Sequence, residues 1–198
     1  NLYLIVDPAN EKKKENDYTT ICVIGLGEDG NYYLIYGLRD KLGLKERTDM
    51  LFEVRRKFPR LKDVGYEAYG MLSDIEHIEL EMERENFRFP IKKLHGNVPK
   101  NDRIKRLVPP LETGKFFVPK EMFFVDSEGK QQDFIKLLKD ELRTFPYCAH
   151  DDILDNIARI MHKQQSKNPK EIWKPVFPIA KVLQRNMPSQ ASAAVYGY

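Results

Sequence analysis

Cysteine is scarce. Cys22 and Cys148 are the only two among 198 residues, far apart and outside any CxxC or Cys/His ligand spacing, so a disulfide framework and a zinc site give way to two reduced thiols. No apolar run approaches the roughly 18 residues of a membrane span, and residues 1–6 lack the charged start and small-residue cleavage site of a secretory signal. The expectation is an intracellular domain. Its opening at Asn1, inside a strand-like run with no initiator methionine, reads as a piece cut from a longer chain. Charge of one sign is not in excess either: 33 Lys+Arg against 30 Asp+Glu leave +3, so any face for a polyanion must be local. No GxxxxGK[ST] phrase occurs, which removes an ATPase from this stretch. Gly25-Leu26-Gly27-Glu28-Asp29-Gly30 is a literal GxGxxG after a strand. A dinucleotide site needs a helix next, whereas another strand follows, so the phrase reads as a hairpin turn.

What is present suffices for one core, with 41% hydrophobic residues. LYLIV (2–6) is a short apolar run ending at Asp7-Pro8, and Pro8 biases Asp7 towards extended geometry at a strand's end. TTICVIGL (19–26), the turn GEDGN and YYLIYGL (32–38) complete a three-strand meander. From Leu44 the period becomes helical through Leu51, Val54 and Phe58, and Pro59 closes the helix. VGYEAYG (64–70) predicts a strand. Ser73 with Glu76 forms a capping-box pattern that opens the next helix, and FRFPIKKL (87–94) a further strand. Residues 95–130 form an irregular insert broken by Pro99, Pro109, Pro110 and Pro119, with room for a short helix at 101–107 and two extended pieces. Phe134, Ile135, Leu138 and Leu142 mark one late helix; Ile153, Leu154, Ile157, Ile160 and Met161 mark another that begins at Asp151-Asp152. The order predicts an α/β fold: a mixed five-stranded sheet, an antiparallel meander plus parallel strands, with helices on both faces. One domain would span 1–186, anchored near its end by Trp173, and 187–198 would form a flexible tail.

The chemistry is suggested by acids. Asp7 ends the first strand, Glu67 lies in the fourth, and Asp151 and Asp152 open the last helix. Each has a bland reading: a turn former, a rim residue, a helix N-cap. If the crossover lays the fourth strand beside the first, the acids converge. Like charges about 4 Å apart repel by roughly 4 kcal/mol at an effective dielectric of about 20, a large part of a total stability of about 5–15 kcal/mol. A divalent cation offsets that, and all-oxygen donors select Mg²⁺ or Mn²⁺. Two such ions hydrolyse phosphodiesters. Asp155 lies one turn after Asp151, in reach of a metal's outer sphere or of a structural partner, and the structural role is favoured. His150 reads either as a donor to a phosphate or as a partly exposed polar residue.

For a polyanionic substrate, residues 88–106 concentrate Arg88, Lys92, Lys93, Lys100, Arg103, Lys105 and Arg106 against one acid, Asp102. Lys92, Lys93, Lys100, Arg103, Lys105 and Arg106 are the candidate DNA contacts, giving sequence-independent, salt-sensitive binding; a solvated charged face is the alternative. Lys12, Lys13 and Lys14 read as a solvated loop. Phe116, Phe117, Phe123 and Phe124 could stack on bases, but their paired spacing favours strands packing into a core.

The element order with acids at these places resembles the ribonuclease H-like nuclease superfamily. Within it, VDPA (6–9), DYTTICVIG (17–25), GYEAYG (65–70), a KNDRI…LETGK stretch (100–115) and HDDILDNIAR (150–159) are similar to the nuclease domain of tailed-phage terminase large subunits. The HDDxxD phrase is the most specific. The resemblance covers residues 1 to about 163 and departs at Asn156, where many relatives carry Ala. It implies a metal-dependent DNA endonuclease that cuts concatemeric phage DNA during packaging, in the cytoplasm of an infected bacterium. Asp7, Glu67 and one or both of Asp151 and Asp152 would bind two Mg²⁺ or Mn²⁺ ions. Implied partners are double-stranded DNA, an ATPase domain of the same protein, the portal and a small terminase subunit. A resolvase or transposase-type nuclease of the superfamily, and a non-catalytic DNA- or portal-binding module, are the alternatives.

Overall fold

The computed structural model describes residues 1–9, 18–67, 72–94 and 98–162. Its centre is β1 (Leu2–Asp7), which pairs antiparallel with β2 (Thr19–Leu26) and parallel with β4 (Leu61–Glu67). Outward on one side follow β3 (Tyr32–Asp40) and a two-residue strand β6 (Phe116–Phe117); outward on the other lies β5 (Ile91–Leu94). The sheet therefore has six strands rather than the five expected. The sixth comes from the proline-broken insert, where Phe116 and Phe117 stack on Tyr32 and Tyr33 at ring separations of 6.0 and 5.1 Å. Cross-strand aromatic pairs of this kind stabilise a strand too short to be read from periodicity.

The β2–β3 turn takes the hairpin form expected of the glycine phrase. Gly30 has φ +75°, in the left-handed region that favours glycine. The Asp29 carboxylate accepts from the Asn31 amide at 2.9 Å and the Tyr33 hydroxyl at 2.6 Å.

Strand alternation sends side chains to two faces. Tyr36 points to α1 (Leu44–Lys57), its hydroxyl 3.6 Å from the Met50 sulfur and its ring against Phe58. On the same side Tyr66 donates to Asp74 of α2 (Leu72–Arg84) at 2.6 Å, and Arg47 of α1 binds the same carboxylate at 2.7 Å. Because α2 begins at Leu72, Ser73 sits inside its first turn instead of capping it. A box-like bond occurs instead at α1, where the Gly43 amide donates to Glu46 at 2.6 Å.

The opposite face carries α5 (Phe134–Thr144) and α6 (Asp152–His162). Phe134 lies flat on Gly37: an added Cβ would come within 2.4 Å of its ring, so only glycine allows this approach. Ile153, Leu154, Ile157, Ile160 and Met161 of α6 are buried, as expected, and so are Asp155, Asn156, Ala158 and Arg159 between them. Asn156 is not a neutral replacement for alanine, since its amide donates to the carbonyls of Ile5 at 3.3 Å and Thr20 at 2.6 Å, fastening α6 to β1 and β2. The insert also supplies α3 (Lys100–Ile104), α4 (Val108–Glu112) and β7 (Phe123–Val125), which forms a separate hairpin with β8 (Gln131–Asp133) just beyond it. Trp173 and the tail at 187–198 lie outside the described residues, as do Lys12, Lys13 and Lys14.

Candidate active site

The last register pair between the parallel strands β1 and β4 is Val6 with Tyr66. One residue further, Asp7 and Glu67 end their strands side by side, on the face that Ile5 and Gly65 share with α6. Their carboxyls are in hydrogen-bonding contact, which requires a proton between two groups that would otherwise repel. Burial, above all, pushes the Asp7 carboxyl well above its usual range; the Glu67 contact adds to this, and the Arg159 charge opposes it. A carboxyl pair sharing one proton is the arrangement that a cation can replace.

Arg159, a residue that sequence reasoning passed over, reaches from α6 to form an ion pair with Glu67. Its second carboxylate neighbour is Asp155, at 3.9 Å. Asp155 is buried and accepts from Nε and Nη2 of Arg103 in α3, at 2.5 and 2.6 Å. That is a structural ion pair, and it makes Arg103 a correction to the expected DNA surface. Arg103 is only 6% exposed, because a guanidinium aligned with a carboxylate fork is held inward.

At the start of α6, Asp151 and Asp152 flank the ammonium of Lys100, at 2.5 and 3.4 Å. Lys100, also counted among the DNA contacts, is thus engaged with the acids themselves. Burial raises the Asp152 carboxyl, Lys100 counteracts this, and one oxygen of Asp152 is buried with no hydrogen-bond partner. Of the other basic candidates, Lys92 pairs with Asp63 at 2.9 Å and Lys105 with Asp102 at 3.6 Å, while Lys93 is exposed and Arg106 half-buried. His150 sets its ring edge-on to Tyr18 at 5.3 Å.

No protein-family model matches the chain, and no curated protein matches it in sequence. Solved structures do match its fold. The nuclease domain of the human cytomegalovirus terminase superposes with a TM-score of 0.57 at 13% identity, covering 84% of this chain and 83% of that one. The same domain soaked with manganese gives 0.53 at 12% identity, over 84% and 82%. The large terminase nuclease of thermophilic phage G20c, with bound zinc, gives 0.53 at 19% identity over 82% of each chain. The chain has the ribonuclease H-like fold.

In this ribonuclease H-like sheet Asp7 and Glu67 sit where the central parallel strands end, the usual place for function in open α/β sheets, while Asp151 and Asp152 open α6. Their donor chemistry suits a hard divalent cation: all oxygen, with a shared proton at Asp7 and Glu67 and an unpartnered oxygen on Asp152. As they stand, however, the acids are held in separate pairs by Arg159, Arg103 and Lys100. Among the described residues no three potential ligands lie close enough together to hold an ion. Nor, among those residues, is any helix long and apolar enough to cross a membrane.

Proposed function

We propose that this domain is a metal-dependent endodeoxyribonuclease that cuts concatemeric phage DNA during genome packaging. The observation that supports the reading is the hydrogen-bonded contact of Asp7 with Glu67 at the ends of two adjacent parallel strands. Asp7, Glu67, Asp152 and Asp151 would hold two Mg²⁺ or Mn²⁺ ions, the kind of group that supplies Lewis-acid activation of water and charge stabilisation for a phosphodiester. The chain's own residues prepare that site. Asp7 and Glu67 hold a proton between them where a cation would bind, Arg159 orients Glu67, and Lys100 offsets part of the charge of Asp151 and Asp152. Exposed Lys93 and Lys105, with Arg106, contact phosphates without reading bases.

The substrate is double-stranded DNA, and the proposed partners are an ATPase domain of the same protein, the portal and a small terminase subunit, acting in the cytoplasm of an infected bacterium. The test is incubation with supercoiled plasmid and Mn²⁺ or Mg²⁺, beside Asp7→Asn. Metal-dependent nicking that Asp7→Asn loses supports the enzyme; DNA binding without cutting by the unaltered chain supports a non-catalytic module instead.

A further inference from the structure

Glu141 belongs to none of the acids considered so far. It lies in the last turn of α5, three residues after Leu138 and seven after Phe134, so the helical period puts it on the buried face with Phe134, Ile135 and Leu138, and it is 3% exposed. Its carboxylate crosses to the start of α6. One oxygen accepts the Leu154 amide at 3.0 Å, and the other accepts the Ile153 amide at 3.4 Å and the Arg39 guanidinium at 3.0 Å. The first amides of a helix have no partner within the helix and carry its positive dipole end. An N-cap side chain ordinarily meets that need from the preceding residue; here a different helix does so.

The placement matters because Ile153 and Leu154 directly follow Asp151 and Asp152. Gripping those two amides fixes the position of the first turn of α6, and so where its two carboxylates project. The grip is itself braced. Arg39 of β3 lies over the Tyr18 ring at 4.8 Å, and Tyr18 meets His150, the residue before Asp151, edge to face. The chain Tyr18, Arg39, Glu141 and the two amides thus surrounds the Asp151-Asp152 turn from the sheet side and from α5.

We infer that Glu141 is a positioning residue: it caps α6 from α5 and fixes the helix turn from which Asp151 and Asp152 would reach a divalent cation. This rests on the metal-dependent reading given above. The cap also gives an otherwise unfavourable buried acid its partners, since two amides and a guanidinium donate to its two oxygens. Residues that orient metal ligands in this way typically contribute about 10–100-fold to metal affinity.

The experiment measures Mn²⁺ affinity of the whole chain by titration calorimetry, together with hydrogen exchange of the Ile153 and Leu154 amides. Glu141→Gln, Asp152→Asn and Leu138→Ala are compared with the unaltered chain. Leu138 is a buried α5 residue with no part in the cap, so Leu138→Ala reports loss of α5 packing alone. The expected result is that Glu141→Gln weakens Mn²⁺ binding about tenfold and speeds exchange of both amides, while Leu138→Ala lowers thermal stability and leaves Mn²⁺ affinity unchanged. Unchanged affinity in Glu141→Gln, where Asp152→Asn abolishes binding, would overturn the positioning role and leave the nuclease reading intact. An equal loss in Leu138→Ala would also overturn it, reducing Glu141 to packing. If the unaltered chain binds no Mn²⁺ that Asp152→Asn removes, the metal reading itself fails and takes this assignment with it.

Discussion

Arg103 donates from Nε and Nη2 to the two carboxylate oxygens of Asp155, at 2.5 and 2.6 Å, joining α3 of the irregular insert to α6 beneath the candidate site. The two residues are 52 positions apart. Through Asp155 and Arg159 the connection continues to Glu67. The insert is therefore tied to the acids by a buried network of alternating charge.

Removing one partner of a buried ion pair leaves the other charge unpaired, at a cost of about 3–5 kcal/mol. Arg103→Ala is accordingly expected to destabilise the fold by that amount in chemical denaturation. A loss of DNA affinity with stability unchanged would instead return Arg103 to the DNA surface.

Lys93 and Lys105 should behave in the opposite way. Both are exposed, so Lys93→Ala and Lys105→Ala are each expected to shift stability by no more than about 0.5 kcal/mol. Each should reduce the salt dependence of DNA binding by about 0.9 in the slope of log affinity against log salt. Fluorescence anisotropy across a salt series reads the slope directly, and an unaltered slope would place the DNA elsewhere.

Lys100 offers a contrast with both. Its ammonium is half-exposed while it neutralises Asp151 and Asp152. Lys100→Ala should therefore cost only about 0–1 kcal/mol without metal. Added Mn²⁺ should then raise the melting temperature of the variant more than that of the unaltered chain, because the ion no longer competes with an internal cation. Equal increments in a thermal shift experiment would show that Lys100 and the ion do not share a site.

The Glu141 carboxyl gives the pH dependence. Burial raises it from its ordinary 4.5 to about 7, against the pull of the Leu154 and Ile153 amides and Arg39. Between those values the folded state holds a proton that the unfolded chain has released, so stability falls as pH rises. Glu141's contribution is complete below about 4.5 and is lost as pH passes about 7. Glu141→Gln cannot release that proton, and its thermal stability should vary less over this window. A variant curve parallel to that of the unaltered chain would place the titration on another group.

Much of the fold was legible because its signals are local. The apolar run before Asp7-Pro8, the glycine turn between two β-rich runs and the 3.6-residue period of 153–161 each reflect steric and solvation preferences within one segment. The two-residue strand Phe116–Phe117 left no such trace. Its stability comes from rings on Tyr32 and Tyr33, distant in the chain.

The site divides in the same way. By itself the sequence determined which acids end strands or open a helix, since backbone geometry and helix capping depend on neighbouring residues. Only the tertiary structure decided that β1 and β4 run in parallel with Asp7 and Glu67 abreast, that Arg103 turns inward, and that Glu141 crosses to α6. Those outcomes depend on strand register and on pairing between buried charges far apart in the chain, where the free energy belongs to the pair and no single segment carries its signature.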